Sequence, residues 1–455
     1  MVSMNELKQD MITGMGYIGL DSGRLYRMRR GPKLIEAVAS GTTIIINDAA
    51  DGRPFRGLRV FGRSIQDGTP SVENPVPIVN AGENGSIKVE VTGRNLIDYT
   101  KAKGDADVQF IDGGFIVGGD ARHRIINIPF KFKKDKSYTT TFKCETLIGL
   151  GNINIYLPGG KYSVSGKAKE QYGIISNKPF VPLDEYTAIG FYVSLENTDT
   201  TKFKITDILL VETGTDTTYE LYKKLQSLTL QTPNGLPGVP VTKDGNYTDQ
   251  NGQQWVCDEI DLGRGKYVQR TAEKDVLEAI PSLWSGAGKW ENNDGYKTLA
   301  FYAYINGANS NKDWGAVKNY GICNYATITS NVFNNSIIGF SLGDYIAFRV
   351  SRNLLPDWDE NNPSNDPWVN WLKARKEAGN PVIVRYALKT SIERDLTPEE
   401  IAAYKALRTY GSTTVVSNDA GVHMEVTYVA DTKAYIDKKF KELNQAIVNT
   451  QIALL

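Results

Sequence analysis

Apolar residues recur along most of this chain in short runs rich in Val, Ile, Thr, Tyr and Phe, separated by Gly, Asn, Asp and Pro. That pattern predicts strands rather than helices. From about Gly85 to Lys223 the runs follow closely, at 86–91, 108–111, 115–117, 125–132, 137–144, 152–156, 190–195 and 204–210. Such spacing suits a sandwich or jelly roll. Strands are also expected at 42–47 and 58–61, and later at 298–305, 337–341, 345–350 and 382–388. Between them, 224–281 reads as a small β meander with tight Asn-Gly and Arg-Gly turns, closed by a short helix over 272–280.

Helical signals are few and local. Residues 5–12 could form one short helix ended by Gly14. Asp366 as N-cap and Pro367 at the first helical position start a helix over 368–378, which stops at Gly379 with Pro381 beyond. Thr397-Pro398-Glu399-Glu400 is a capping box opening a helix to about Arg408. Strands 412–417 and 422–429 then flank the turn Asn418-Asp419-Ala420-Gly421, which reads as a hairpin. Asp431 caps a terminal helix in which Ile436, Phe440, Leu443, Ile447 and Leu454 fall at coiled-coil spacing, with Thr450 at the missing seam position. Packing is what stabilises so short a helix. Sister copies burying the seam would give a trimer; folding back onto its own domain is the other reading.

The expected class is therefore mainly β and multi-domain, with jelly-roll or sandwich domains, short helices and a coiled-coil-like C-terminal helix. The expected division is an N-terminal attachment segment 1–80, a sandwich 85–223, a meander 224–281, an aromatic-rich β domain with one helix 282–395, and a helix-hairpin-helix oligomerisation tail 396–455. Pro70, Pro75 and Pro77 stiffen a connector after Gln66.

Composition narrows the partners. Lys plus Arg equals Asp plus Glu at 52 each, so no net field gathers nucleic acid or an anionic membrane. The first residues lack a basic stretch followed by an apolar run, so no secretory signal is expected, and no apolar run approaches the roughly 20 residues of a membrane span. Cys144, Cys257 and Cys323 are far apart and odd in number, which suits reduced, buried thiols.

Asn95-Leu96-Ile97, the run 137–142, and 205–212 followed by Tyr219-Glu220-Leu221-Tyr222 resemble carbohydrate-binding-module-like jelly rolls. Four further stretches, taken in order, resemble the minor structural or baseplate proteins of tailed phages and prophages of Gram-positive bacteria. They are Leu58 to Pro70 with Glu73-Asn74-Pro75, Leu230 to Gly238, Trp255 to Asp261, and Leu396 to Tyr435. The resemblance implies a place in the distal tail of a virion, a homotrimer, contact with other tail or baseplate proteins, and a role at the host surface. It carries no catalytic residues.

Candidate chemistry is sparse. Neither His123 nor His423 has metal or triad spacing. The run Gly286-Ala287-Gly288-Lys289 lacks the first glycine and the Ser or Thr of a phosphate loop. Asp357, Asp359, Glu360, Asn361 and Asp366 could gather calcium, but the glycine an EF-hand needs is missing, and a solvated turn with a helix cap is expected instead. No metal and no cofactor are expected. Trp290, Asn292, Tyr296, Trp314 and Tyr320 could stack and bond a sugar of the host cell wall, or could be core. A non-enzymatic attachment subunit is the favoured reading. The alternatives are a glycan-cleaving tail enzyme, whose carboxylate pair would be defined only by distance in space, and a purely architectural subunit.

Overall fold

The computed structural model describes residues 15–19, 25–29 and 35–437, together with 440 and 444. Within 35–437 it leaves out 105–107, 120–122, 135, 149–150, 158–162, 167–171, 177–178, 183–184, 196–200, 280–287, 292–296, 305–319, 328–338, 343–344, 360, 363, 365, 412 and 435. The protein is mainly β, with several sheets and short helices. All described strand pairs are antiparallel. The expected helix at 5–12 lies outside the described residues.

Two sheets face each other across the main core. A four-stranded sheet runs in the order Gln226–Thr232, Gly85–Thr92, Thr414–Asn418, Thr43–Ile46. A seven-stranded sheet runs Gly321–Cys323, Ile383–Asp395, Lys266–Asp275, Glu259–Asp261, Gly57–Phe61, His423–Ala430, Ile35–Gly41. Their strands alternate between buried and more open positions, as in 226–232 of the first and 423–428 of the second, so each sheet turns one apolar face inward. Ile44, Ile87, Val89, Leu228 and Val416 from one sheet meet Leu58, Val60, Ile260, Met424 and Val426 from the other.

This layering corrects the linear division. The seven-stranded sheet takes strands from the N-terminal segment, the meander, the aromatic-rich region and the tail. Only Gly238–Val241, Tyr247–Thr248 and Gln254–Cys257 form a small sheet of their own within 224–281. The expected tail hairpin is also corrected. Thr414–Asn418 and His423–Ala430 do not pair with each other but enter opposite sheets. The turn between them is as expected, with Gly421 at φ +64° and the Asn418 carboxamide bonding both backbone groups of Val422. It carries the chain across the core because both strands have an apolar face to bury there.

Between Gly85–Thr92 and Gln226–Thr232, which are themselves paired from Val91↔Gln226 onward, the chain leaves to build a separate module. Two five-stranded sheets share one core of Phe115, Phe142, Phe203 and Ile205 against Ile126, Ile153, Ile189 and Phe191, as in a β-sandwich. Asn95 closes its neck: the carboxamide donates to the carbonyls of Ile208 (2.8 Å) and Glu220 (3.1 Å) and accepts from the Leu210 N–H. The buried Arg94 guanidinium pairs with Glu220 and Asp216. The module therefore begins after the 85–92 strand, which belongs to the main core.

A third core gathers Phe348, Trp358, Trp368, Leu372 and Val384. The helix there is Asp366–Glu377, so Asp366 lies in the first turn, and the Ser364 hydroxyl accepts the Asp366 N–H. Its end is a Schellman motif: the N–H groups of Gly379 and Asn380 donate to the carbonyls of Lys376 and Arg375. The proline-rich connector is strapped down rather than free, since Gln66 donates to the carbonyls of Val76 and Cys323 and the Val76 N–H donates to Asn324. The helix behind the capping box is Pro398–Ala406. No helix among the described residues is long and apolar enough to cross a membrane.

Candidate functional site

The inner face of the seven-stranded sheet extends past the edge of the sheet opposite, and a cleft of about 690 Å³ opens there. On the 266–275 strand, side chains two apart share a face. Tyr267 still packs in the core, while Gln269, Thr271 and Glu273 continue its row as polar lining. The neighbouring strand adds Arg385 and Arg394 through register: Glu273 lies opposite Arg385, and Tyr267 opposite Arg394. The first pair is an ion pair. In the second the Arg394 guanidinium lies 4.1 Å from the centre of the Tyr267 ring. The facing wall is made by Asn80, Glu83 and the turn Pro233-Asn234-Gly235. Gly235 is required there, because its φ is +71° and an added Cβ would lie 2.6 Å from the Cβ of Asn80.

Asp258 holds the wall in shape. It is the single residue between the 254–257 and 259–261 strands, where the chain passes from one sheet to another. The 266–275 strand loses its backbone neighbour at that point, and the Asp258 carboxylate replaces it. One oxygen accepts the N–H groups of Arg270 (2.9 Å) and Thr271 (2.8 Å), and the other accepts the Tyr267 hydroxyl (2.8 Å). Burial pushes the carboxyl up from its ordinary range, while these donors favour the ionised form. Burial also raises Tyr267, helped by the adjacent carboxylate.

Arg385 is 7% exposed, and its Nε has no hydrogen-bond partner among the described residues. The sequence reading missed this cleft. Its one local trace is the alternate polar row 269, 271, 273 following the apolar Tyr267, since Arg385 is more than a hundred residues away from Glu273.

The residues singled out in the sequence fare differently. Trp290 lies on the strand Gly288–Glu291; Asn292, Tyr296 and Trp314 lie outside the described residues. Tyr320 is a core residue, 3% exposed, packed with Val239, Val241, Val256 and Ala387, its hydroxyl donating to Asp244 at 3.0 Å. A ring so buried offers no open face for stacking, and Tyr320 leaves the sugar-stacking set. Ile436 is 2% exposed within a single chain, so the first seam position is covered by its own fold. Phe440 is half-buried, and Leu443, Ile447 and Leu454 lie outside the described residues.

His423 stacks on Tyr247 at 4.1 Å between ring centres, beside Phe61, and burial lowers its imidazole below the ordinary value. In the 357–366 loop, Asp359 accepts the Asn361 N–H and Ser364 bonds Asp366. No group of three or more His, Cys, Asp or Glu among the described residues is placed to hold a metal ion. The three cysteines are free and buried.

No family model matches the chain, and no curated protein matches it. Among solved structures there is a likeness to the arabinofuranosyltransferase AftD from mycobacteria, with 10% identity and a TM-score of 0.17. It covers 82% of this chain and 35% of that one. At that score the likeness carries no argument.

Proposed function

We propose that this chain is a structural subunit of the tail tip or baseplate of a tailed phage or prophage of a Gram-positive bacterium. In this reading it is trimeric, docks on other tail proteins and contributes to attachment at the host cell surface. The observation that supports this most is where the four resembling stretches go. Leu58 and Val60, Leu230 and Leu236, Ile260, and Leu396, Tyr404, Val416 and Tyr428 are scattered over the sequence, yet all enter one core. The likeness therefore follows a single folded body, with the sandwich inserted into it. Apart from the hairpins 108–111/114–119 and 151–156/163–166, consecutive strands of that module alternate between its two sheets, which supports a jelly-roll description.

Binding is favoured over cleavage because two of the three cleft carboxylates are committed, leaving Glu83 where glycoside cleavage uses a pair. Asp258 is held by three donors and Glu273 by Arg385. The remaining seam, from Phe440 onward, is what the trimer would bury. Gold-labelled antibody against this chain, imaged on whole particles, should decorate the distal end of the tail. Label confined to the capsid, or particles that never carry the chain, would sink the reading.

A further inference from the structure

We propose that the cleft between the 266–275 strand and the Asn80 and Asn234 turns binds a short, neutral oligosaccharide. This deepens the attachment reading and rests on it. A cleft of about 690 Å³ is of the size that takes small ligands. Its walls are polar, so an apolar ligand would leave their donors and acceptors unmatched.

Charge excludes a polyanion. Glu273 is paired with Arg385, and Asp258 is held by three uncharged donors, so with Glu83 and Arg394 the lining has three acids against two bases and no excess of positive charge. Donors and acceptors of that kind, interleaved with no cationic patch, match the hydroxyl groups of a sugar, each of which both donates and accepts. Arg385 adds the second observation. It lines the cleft, is more than nine-tenths buried, and carries an Nε without a partner. Buried donors left unmatched are uncommon, and one beside a polar cleft is accounted for by a bound water or ligand.

An extended peptide fits less well. Peptides add to a free sheet edge or fill apolar pockets. Here the 266–275 strand is paired along one side with 383–395, and where it loses its other neighbour after Val268 the Asp258 carboxylate already takes the N–H groups of Arg270 and Thr271.

The test uses the full chain and calorimetric titration with trisaccharides of glucose, galactose, N-acetylglucosamine and rhamnose, beside inorganic phosphate and trialanine. At least one trisaccharide should bind, and phosphate and trialanine should not. Arg394→Ala and Asn234→Ala change exposed side chains on opposite walls; Asn234→Ala should keep the wild-type melting midpoint, and Arg394→Ala should lower it only slightly through the lost contact with the Tyr267 ring. Loss of about tenfold in affinity in either variant, the scale of one hydrogen bond to a charged or well-placed group, supports the site. Sugar binding unchanged in both variants would put the ligand elsewhere and overturn the proposal. So would a panel with no saccharide bound, or preference for phosphate or peptide. The isolated chain suffices for these titrations, so their failure leaves the localisation on particles standing, and the converse also holds.

Discussion

Asp258 shows how one side chain can replace a missing strand. Asp258→Ala would leave two strand N–H groups and the Tyr267 hydroxyl without their acceptor, at a cost of about 2–5 kcal/mol. Asp258→Asn keeps an oxygen for the N–H groups and should retain most of the stability; urea denaturation compares the two. A loss for Asn as large as for Ala would show that the negative charge, rather than the acceptor geometry, is what the wall needs. His423 gives a pH dependence of definite sign. Burial lowers its folded pKa below the ordinary 6.5, so as pH falls past 6.5 the unfolded chain takes up the proton first and stability drops. The melting midpoint should fall between pH 7.5 and pH 5.5 by more in the wild type than in His423→Gln. Equal falls would remove His423 as a cause. Of these residues only the short-range ones were readable beforehand. The Thr397 and Glu400 side chains bond each other's backbone N–H groups as the capping box predicts. Glu400 also accepts the Gln231 N–H, a partner that no local pattern reveals.

At the scale of elements, most strands of the sandwich fall where the apolar runs put them, because period-two burial is a local property of an extended chain. Their partners do not follow from the same signal. The 85–92 strand has the same pattern as its sandwich neighbours, yet its Ile87, Val89 and Val91 are buried in the other core. The tail strands likewise looked like a hairpin because a good turn joins them, and a turn fixes direction without fixing partner. The insertion makes a prediction. Since Val91 already pairs with Gln226, replacing residues 93–225 by a short Gly-containing link should leave a cooperatively unfolding protein. The excised module, with its Asn95 and Arg94 neck intact, should fold alone. Thermal unfolding followed by circular dichroism checks both pieces. Two pieces without a cooperative transition would mean that the module and the main core stabilise each other.

For the whole molecule, a trimer would be held by the far end of the terminal helix. With Ile436 buried in its own chain, the trimer reading depends on the seam from Phe440 to Leu454. Light scattering after size exclusion should give three times the chain mass, and Phe440→Asp with Leu443→Asp should reduce it to one. A wild-type monomer at micromolar concentration would leave the seam without that role.

By itself the sequence determined the mainly β class, the turns, the helix caps and the balanced charge, because each depends on residues within a few positions of one another. Only the tertiary structure decided that one sheet draws strands from nearly the whole chain, that the sandwich is an insertion, and that Glu273, Arg385 and Arg394 share a cleft with Asn234. Strand partners are chosen by burying apolar faces against each other across any sequence distance, and a cleft forms where one such face outruns its cover.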